Sequence, residues 1–152
     1  SDVYKRQHLY EPHYLQISQP EQVQIYEAIM VTSSDQVTTG LLSAIRFAKD
    51  NRLLPEGFDK ATASGDVAVR GRAAEDVDFQ GGQDRMVYSV PVQHSVGPFS
   101  IKAQLWYQPI AYRWARNLGV HKTGEIERFT SYYNTMSDHS ALLLAEDSRI
   151  AE

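Results

Sequence analysis

The stretch Pro98-Phe-Ser-Ile-Lys-Ala-Gln-Leu-Trp-Tyr-Gln-Pro-Ile-Ala-Tyr-Arg-Trp-Ala-Arg-Asn-Leu118 passes from a strand pattern to a helix pattern and holds both tryptophans of the chain. Phe99, Ile101, Ala103, Leu105 and Tyr107 alternate with Ser100, Lys102, Gln104 and Trp106. Successive strand side chains point to opposite faces, so this alternation predicts a half-buried strand. Pro109 suits a first helical position, Ile110, Trp114 and Leu118 recur at helical spacing, and Gly119 is placed to end the helix in a left-handed conformation. A core is expected to close here.

Outward from that stretch, Arg85 to Val92 alternates again through Met86, Tyr88, Val90 and Val92, which predicts an antiparallel partner for the Phe99 strand. Thr123 can cap a helix whose first turn carries Glu125 and Glu127, favourable beside the positive helix end, with Ile126, Phe129, Tyr133 and Met136 on one stripe. Ser140 to Ala145 reads as a final strand or an anchoring tail. On the N-terminal side, His8 to Ser18 and Val23 to Val31 read as extended, with Glu27 falling on the apolar face of the second segment and needing an edge position or a partner on a neighbouring strand. Ser33 to Gln36 has turn chemistry before the β-favouring Val37-Thr-Thr39, a hairpin signal. Gly40 to Asn51 slightly prefers helix by periodicity, with strand left open. Asp59 to Asp84 is rich in Ala, Gly and Asp and reads as a long loop region.

The chain has 152 residues, 42% of them hydrophobic, which suits one domain with its own core. Its 15 Lys and Arg against 19 Asp and Glu give a net charge of -4, the wrong sign for neutralising many phosphates, so nucleic acid is not an expected partner. No cysteine is present, which excludes disulfides, thiolate metal sites, a cysteine nucleophile and thioether-attached haem within these residues. No run reaches the ~18 apolar residues that span a bilayer. Residues 1 to 7, Ser-Asp-Val-Tyr-Lys-Arg-Gln, resemble the translation of a transposon-type sequencing adapter. The expectation is that they are foreign to the fold, that residues 8 to 152 form a single β-rich domain, and that the natural protein extends upstream of His8.

Candidate chemistry is sparse. The five histidines, His8, His13, His94, His121 and His139, have neither the i, i+4 spacing nor the adjacent carboxylates of a local metal motif. The acidic loop carries Asp66, Glu75, Asp76, Asp78 and Asp84 beside Gly81-Gly82, and Asp76, Asp78 and Asp84 are its candidate calcium ligands, although the ordered spacing of a calcium loop is absent. A solvated acidic loop explains the same residues. No serine sits in a Gly-x-Ser-x-Gly elbow, and the glycines form no phosphate cradle. Trp106, Tyr112 and Trp114, with Tyr107, can form a stacking platform for a ligand such as a sugar, or the aromatic girdle under a helix. A hydrolase would need two carboxylates of the acidic loop to converge in a pocket.

Gln24-Ile-Tyr-Glu27, Val37-Thr-Thr-Gly-Leu-Leu42, Lys49-Asp-Asn-Arg-Leu-Leu-Pro55 with Gly57-Phe58-Asp59, Gly81-Gly-Gln-Asp84, and Leu105-Trp-Tyr-Gln-Pro109 with Tyr112-Arg-Trp114 together resemble a known arrangement. It is the C-terminal, haem-free, β-rich region of some bacterial multihaem c-type cytochrome proteins, and the resemblance covers most of His8 to Leu144. It implies a periplasmic or extracytoplasmic accessory domain that follows a haem-bearing region of the same chain. Haem c would belong to that upstream region, because no Cys-x-x-Cys-His motif occurs here and no haem ligand carries over to any residue. The fold expected is mainly β, an antiparallel β-sandwich or jelly roll with one or two short helices. The function expected is a non-catalytic accessory domain of a redox protein, without metal, membrane span or nucleic-acid partner. The alternative is a carbohydrate-type binding module using Trp106, Tyr112 and Trp114.

Overall fold

Ser33 to Gln36 reverses the chain as its turn chemistry predicts. In the computed structural model of the protein, which describes residues 10–93 and 95–152, this turn joins strands β2 (Ala28–Val31) and β3 (Val37–Thr38) into an antiparallel hairpin. Thr32 N–H donates to Gln36 O at 2.9 Å, and Asp35 takes a positive φ of 59°. Asn and Asp tolerate that region better than other non-glycine residues. The second neighbour of β2 is β4 (Arg46–Asp50), also antiparallel, giving a sheet in the order β3-β2-β4. Residues 46–50 are therefore strand, although their local periodicity leans toward helix. Pairing with β2 decides the outcome, as tertiary context commonly does for a weak local preference.

The chain divides into two compact units, Ser1–Pro91 and Val92–Glu152. The first also holds β1 (Gln16–Ile17), β5 (Val87–Tyr88) and a short 3-10 helix at Gly71–Ala74. Its core is Val69, Ala73 and Phe79, with Tyr26 and Leu54 packed against them. Three of these lie in the acidic loop region, so that loop supplies core as well as surface. Ile29 and Val31 on β2 and Ile17 on β1 are buried as well.

In the second unit β6 (Phe99–Tyr107) has the bounds that its alternation predicts, and it pairs antiparallel with β7 (Leu142–Ala151). The partner expected for β6 was the segment after Arg85. That segment instead contributes the two-residue β5, which runs parallel to β1, and Pro91 beyond it has no N–H with which to extend a ladder. The longer run from Leu142 offers β6 a full-length ladder, so the Leu142 to Ala145 part of the expected Ser140 to Ala145 segment enters a final strand. Helices α1 (Tyr112–Leu118) and α2 (Gly124–Ser140) connect the two strands. Pro109 precedes α1 instead of opening it, and Gly119 ends α1 at φ -64°, so no left-handed cap is used. Thr123 is the N-cap residue of α2, and Glu125 and Glu127 stand in its first turn as expected. Among the described residues of this unit Ala115 is the one buried hydrophobic, so the core expected around the tryptophans lies instead in the first unit.

Taken together the chain is mixed α/β, with two α-helices, strands in small sheets and no closed barrel among the described residues. No helix among the described residues is long and apolar enough to cross a membrane. Residues 1 to 7, His8 and His94 lie outside the described residues.

Candidate functional site

His13 enters the first unit just before β1, with its ring buried against Phe79 at 5.1 Å between centroids. Its Nε2 lies 3.0 Å from Asp76 Oδ2, and its Nδ1 lies 2.9 Å from Gln24 Nε2 and 3.0 Å from Asn51 Nδ2. The amide orientations can be assigned from their other contacts. Gln24 Oε1 accepts the Tyr14 N–H at 2.9 Å, which turns its NH2 toward His13. Asn51 Oδ1 accepts the Glu27 N–H at 2.9 Å while Nδ2 donates to Ile25 O at 3.0 Å, which again aims an NH2 at His13. Nδ1 therefore faces two donors and must be the acceptor. His13 is neutral, and the proton sits on Nε2, donated to Asp76.

Around this centre each polar group has a defined place. Asp76 Oδ1 accepts the Asp78 N–H at 2.8 Å, and the Tyr26 hydroxyl donates to Asp84 Oδ2 at 2.6 Å. Burial alone would push the Asp76 carboxyl up. The hydrogen bonds from His13 and from the backbone N–H groups of Asp78 and Phe79 outweigh it and hold the carboxyl below its ordinary value. Burial, followed by the bond to Asp84, holds the Tyr26 phenol above its usual range. Tyr14, donating to Glu11 Oε2 at 2.6 Å, is pushed up to about 12, by burial first and by Glu11 second.

Lys49, buried on β4, donates to Glu11 O and Ile25 O at 2.8 Å each and reaches Glu27 Oε1 at 3.3 Å. Glu27, the carboxylate on the apolar face, thus has its partner on the neighbouring strand. Beside Lys49, Asp50 takes a two-pronged bond from Arg52, at 2.9 Å from Nε and 2.6 Å from Nη2. Lys60 donates to the carbonyl oxygens of Asp76 and Ala73. Gly81 lies against the main chain at Pro55 and Phe58. A Cβ there would stand 2.8 Å from both Phe58 N and Phe58 O and 2.9 Å from Pro55 O, a backbone approach that only glycine permits.

Of the candidate calcium ligands, the structure brings Asp76 and Asp84 together, but with His13 in place of the Asp78 carboxylate. One ligand atom from each of the three lies within 4.8 Å of the others. Asp78 contributes its backbone N–H. The Asp76 side chain of this pair is only 5% exposed. Trp106 on β6 and Tyr112 and Trp114 on α1 are 52%, 68% and 46% exposed, and no ring contact links the three among the described residues. His121 and His139 take no part in the His13 cluster.

The sequence signals missed His13, Gln24, Lys49 and Asn51 as a group, because their contacts join positions 11 to 38 residues apart. The one local hint was the polar triplet Lys49-Asp-Asn51 at the end of the run from Gly40. Fold and site together define a mixed α/β chain whose first unit is tied by a buried polar network around His13, in which Asp84 Oδ1 is left without a hydrogen-bond partner. No family model, curated protein or solved structure matches the chain.

Proposed function

We propose that this chain is a non-catalytic accessory domain of a multihaem c-type cytochrome-like redox protein, located outside the cytoplasm and attached to a haem-bearing domain upstream in the same chain. The observation that supports the reading is the place of the segments that carry the resemblance. Gln24, Tyr26 and Glu27 of the first segment, Lys49 and Asn51 of the third, and Asp84 of the fourth are the residues that hydrogen-bond around His13 and Lys49. Three of the five segments thus enter a buried network that holds a domain together, and His13 has both ring nitrogens engaged in that network instead of turned to a substrate. The sandwich or jelly-roll architecture belongs to the same proposal, because antiparallel pairing, as in the β3-β2-β4 sheet and the β6-β7 ladder, is what such folds are built from. Sequencing through the region upstream of His8 tests it. Several Cys-x-x-Cys-His motifs behind a signal peptide are expected, and an upstream domain without haem motifs overturns the reading.

A second reading, a carbohydrate-type binding module, is favoured by the exposure of Trp106, Tyr112 and Trp114. Exposed rings offer large apolar area for stacking on a sugar face. Titrating neutral oligosaccharides against tryptophan fluorescence separates the two. The module reading expects a saturable change lost in Trp106→Ala, and the accessory-domain reading expects none.

A further inference from the structure

We propose that Asp76 and Asp84 hold a divalent cation of the calcium type through oxygen alone, with His13 as the hydrogen-bond donor that positions Asp76. This stands apart from the cytochrome reading and rests on three observations. The first is distance. The ligand atoms of His13, Asp76 and Asp84 lie within 4.8 Å of one another, and a calcium ion placed about 2.4 Å from each of two oxygens spans that gap.

The second is uncompensated charge. Asp84 Oδ1 is buried and has no hydrogen-bond partner, while Oδ2 is engaged by Tyr26. Among the described residues neither Asp76 nor Asp84 has an ammonium or guanidinium within ion-pair distance, and Lys60 bonds to carbonyl oxygens. Two carboxylates brought together in a largely buried place, with only a neutral histidine between them and a cation, meet the condition under which buried charges are paired or bind metal.

The third is the histidine tautomer, which decides the kind of metal. Nε2 could coordinate only by giving up its proton, and Nδ1 could take that proton only by facing the amide donors of Gln24 and Asn51, whose orientations are fixed by Tyr14, Glu27 and Ile25. A metal-bound imidazole normally donates its second N–H to an acceptor, the reverse of this arrangement. A nitrogen-preferring ion is therefore a poor fit. A hard cation that takes carboxylate and water oxygens keeps every existing hydrogen bond, and His13 then serves as the outer partner that orients a ligating carboxylate.

The test uses the full chain freed of metal with a chelator. Sites with few protein ligands bind calcium at about 10⁻⁴–10⁻³ M, so calcium chloride is supplied at about 10 mM against sodium chloride of matched ionic strength. The expected result is a rise in Tm of about 5 °C or more. Asp84→Asn, which keeps an acceptor for Tyr26, should lose the rise. Should that variant fail to fold, terbium chloride on the unmodified chain decides. Luminescence sensitised by tyrosine is expected, removed by excess calcium and cut several-fold in Tyr26→Phe. The proposal is overturned by an unchanged Tm with no calcium-displaceable luminescence, by an Asp84→Asn variant that responds like the parent chain, or by zinc chloride binding more tightly than calcium.

Discussion

Asn51 is fully buried, and its single side chain serves the Glu27 N–H, the Ile25 carbonyl and His13 Nδ1. Removing it leaves the Glu27 N–H unpaired inside the protein, while Ile25 O keeps Lys49 and His13 Nδ1 keeps Gln24, and an unpaired buried group costs more than the net worth of the bond it loses. Asn51→Ala is expected to destabilise the first unit by about 1–3 kcal/mol in urea unfolding. A loss well below about 1 kcal/mol would mean that water reaches the Glu27 N–H. Asp76 gives an acid-side counterpart. Its carboxyl is held below the ordinary value, so its contribution is present above the unfolded value of about 3.9 and is lost as pH falls through the lower folded value. Urea midpoints followed down through that window should fall for the parent chain and flatten in Asp76→Asn. On the alkaline side the sign reverses. The raised Tyr26 phenol contributes fully below about pH 10, and its contribution disappears as pH rises through its folded value. Phenolate absorbance should show late-ionising tyrosines, and Tyr26→Phe should remove one of them.

Among the elements, the loop after β4 has a role that its composition conceals. Leu54 O accepts the Gly82 N–H at 2.9 Å, and Gly81 lies on the backbone of Pro55 and Phe58, so two loop segments meet main chain to main chain. Gly81→Ala forces a backbone shift and is expected to cost about 1–3 kcal/mol. Gly124 in the first turn of α2 has nothing within 4 Å of a built Cβ, and Gly124→Ala is expected to stabilise by up to about 1 kcal/mol through better helix propensity. Thermal melts of the pair should move in opposite directions, and equal effects would contradict the placement of Gly81. Phe79 and Leu105 make a second contrast. Phe79 is fully buried in the core, so Phe79→Ala should cost about 3–5 kcal/mol, whereas Leu105 on the largely exposed β6 should cost clearly less on truncation to Ala.

At the scale of the whole molecule, what the sequence makes legible is what depends on neighbours in the chain. The alternation from Phe99 to Tyr107 and the stripe from Ile126 to Met136 lie on a strand and a helix, and the Ser33–Gln36 turn makes its hairpin. Arg46 to Asp50 misleads because its strand state comes from pairing with β2. Alternation also tells which face of β6 is apolar but not whether anything covers it, which is why the core lies around Phe79 instead. The candidate site was half legible. Asp76 and Asp84 stood out as acidic residues of one loop, whereas His13 is 63 residues from Asp76 and Tyr26 is 58 from Asp84, separations that no local spacing encodes. The account stands on the closed network at His13, and the tautomer of that ring is its most direct test. Long-range proton–nitrogen NMR correlation on the histidine-labelled chain at neutral pH should find His13 neutral, protonated at Nε2 and accepting at Nδ1. A proton on Nδ1, or a ring exchanging between tautomers, would contradict it.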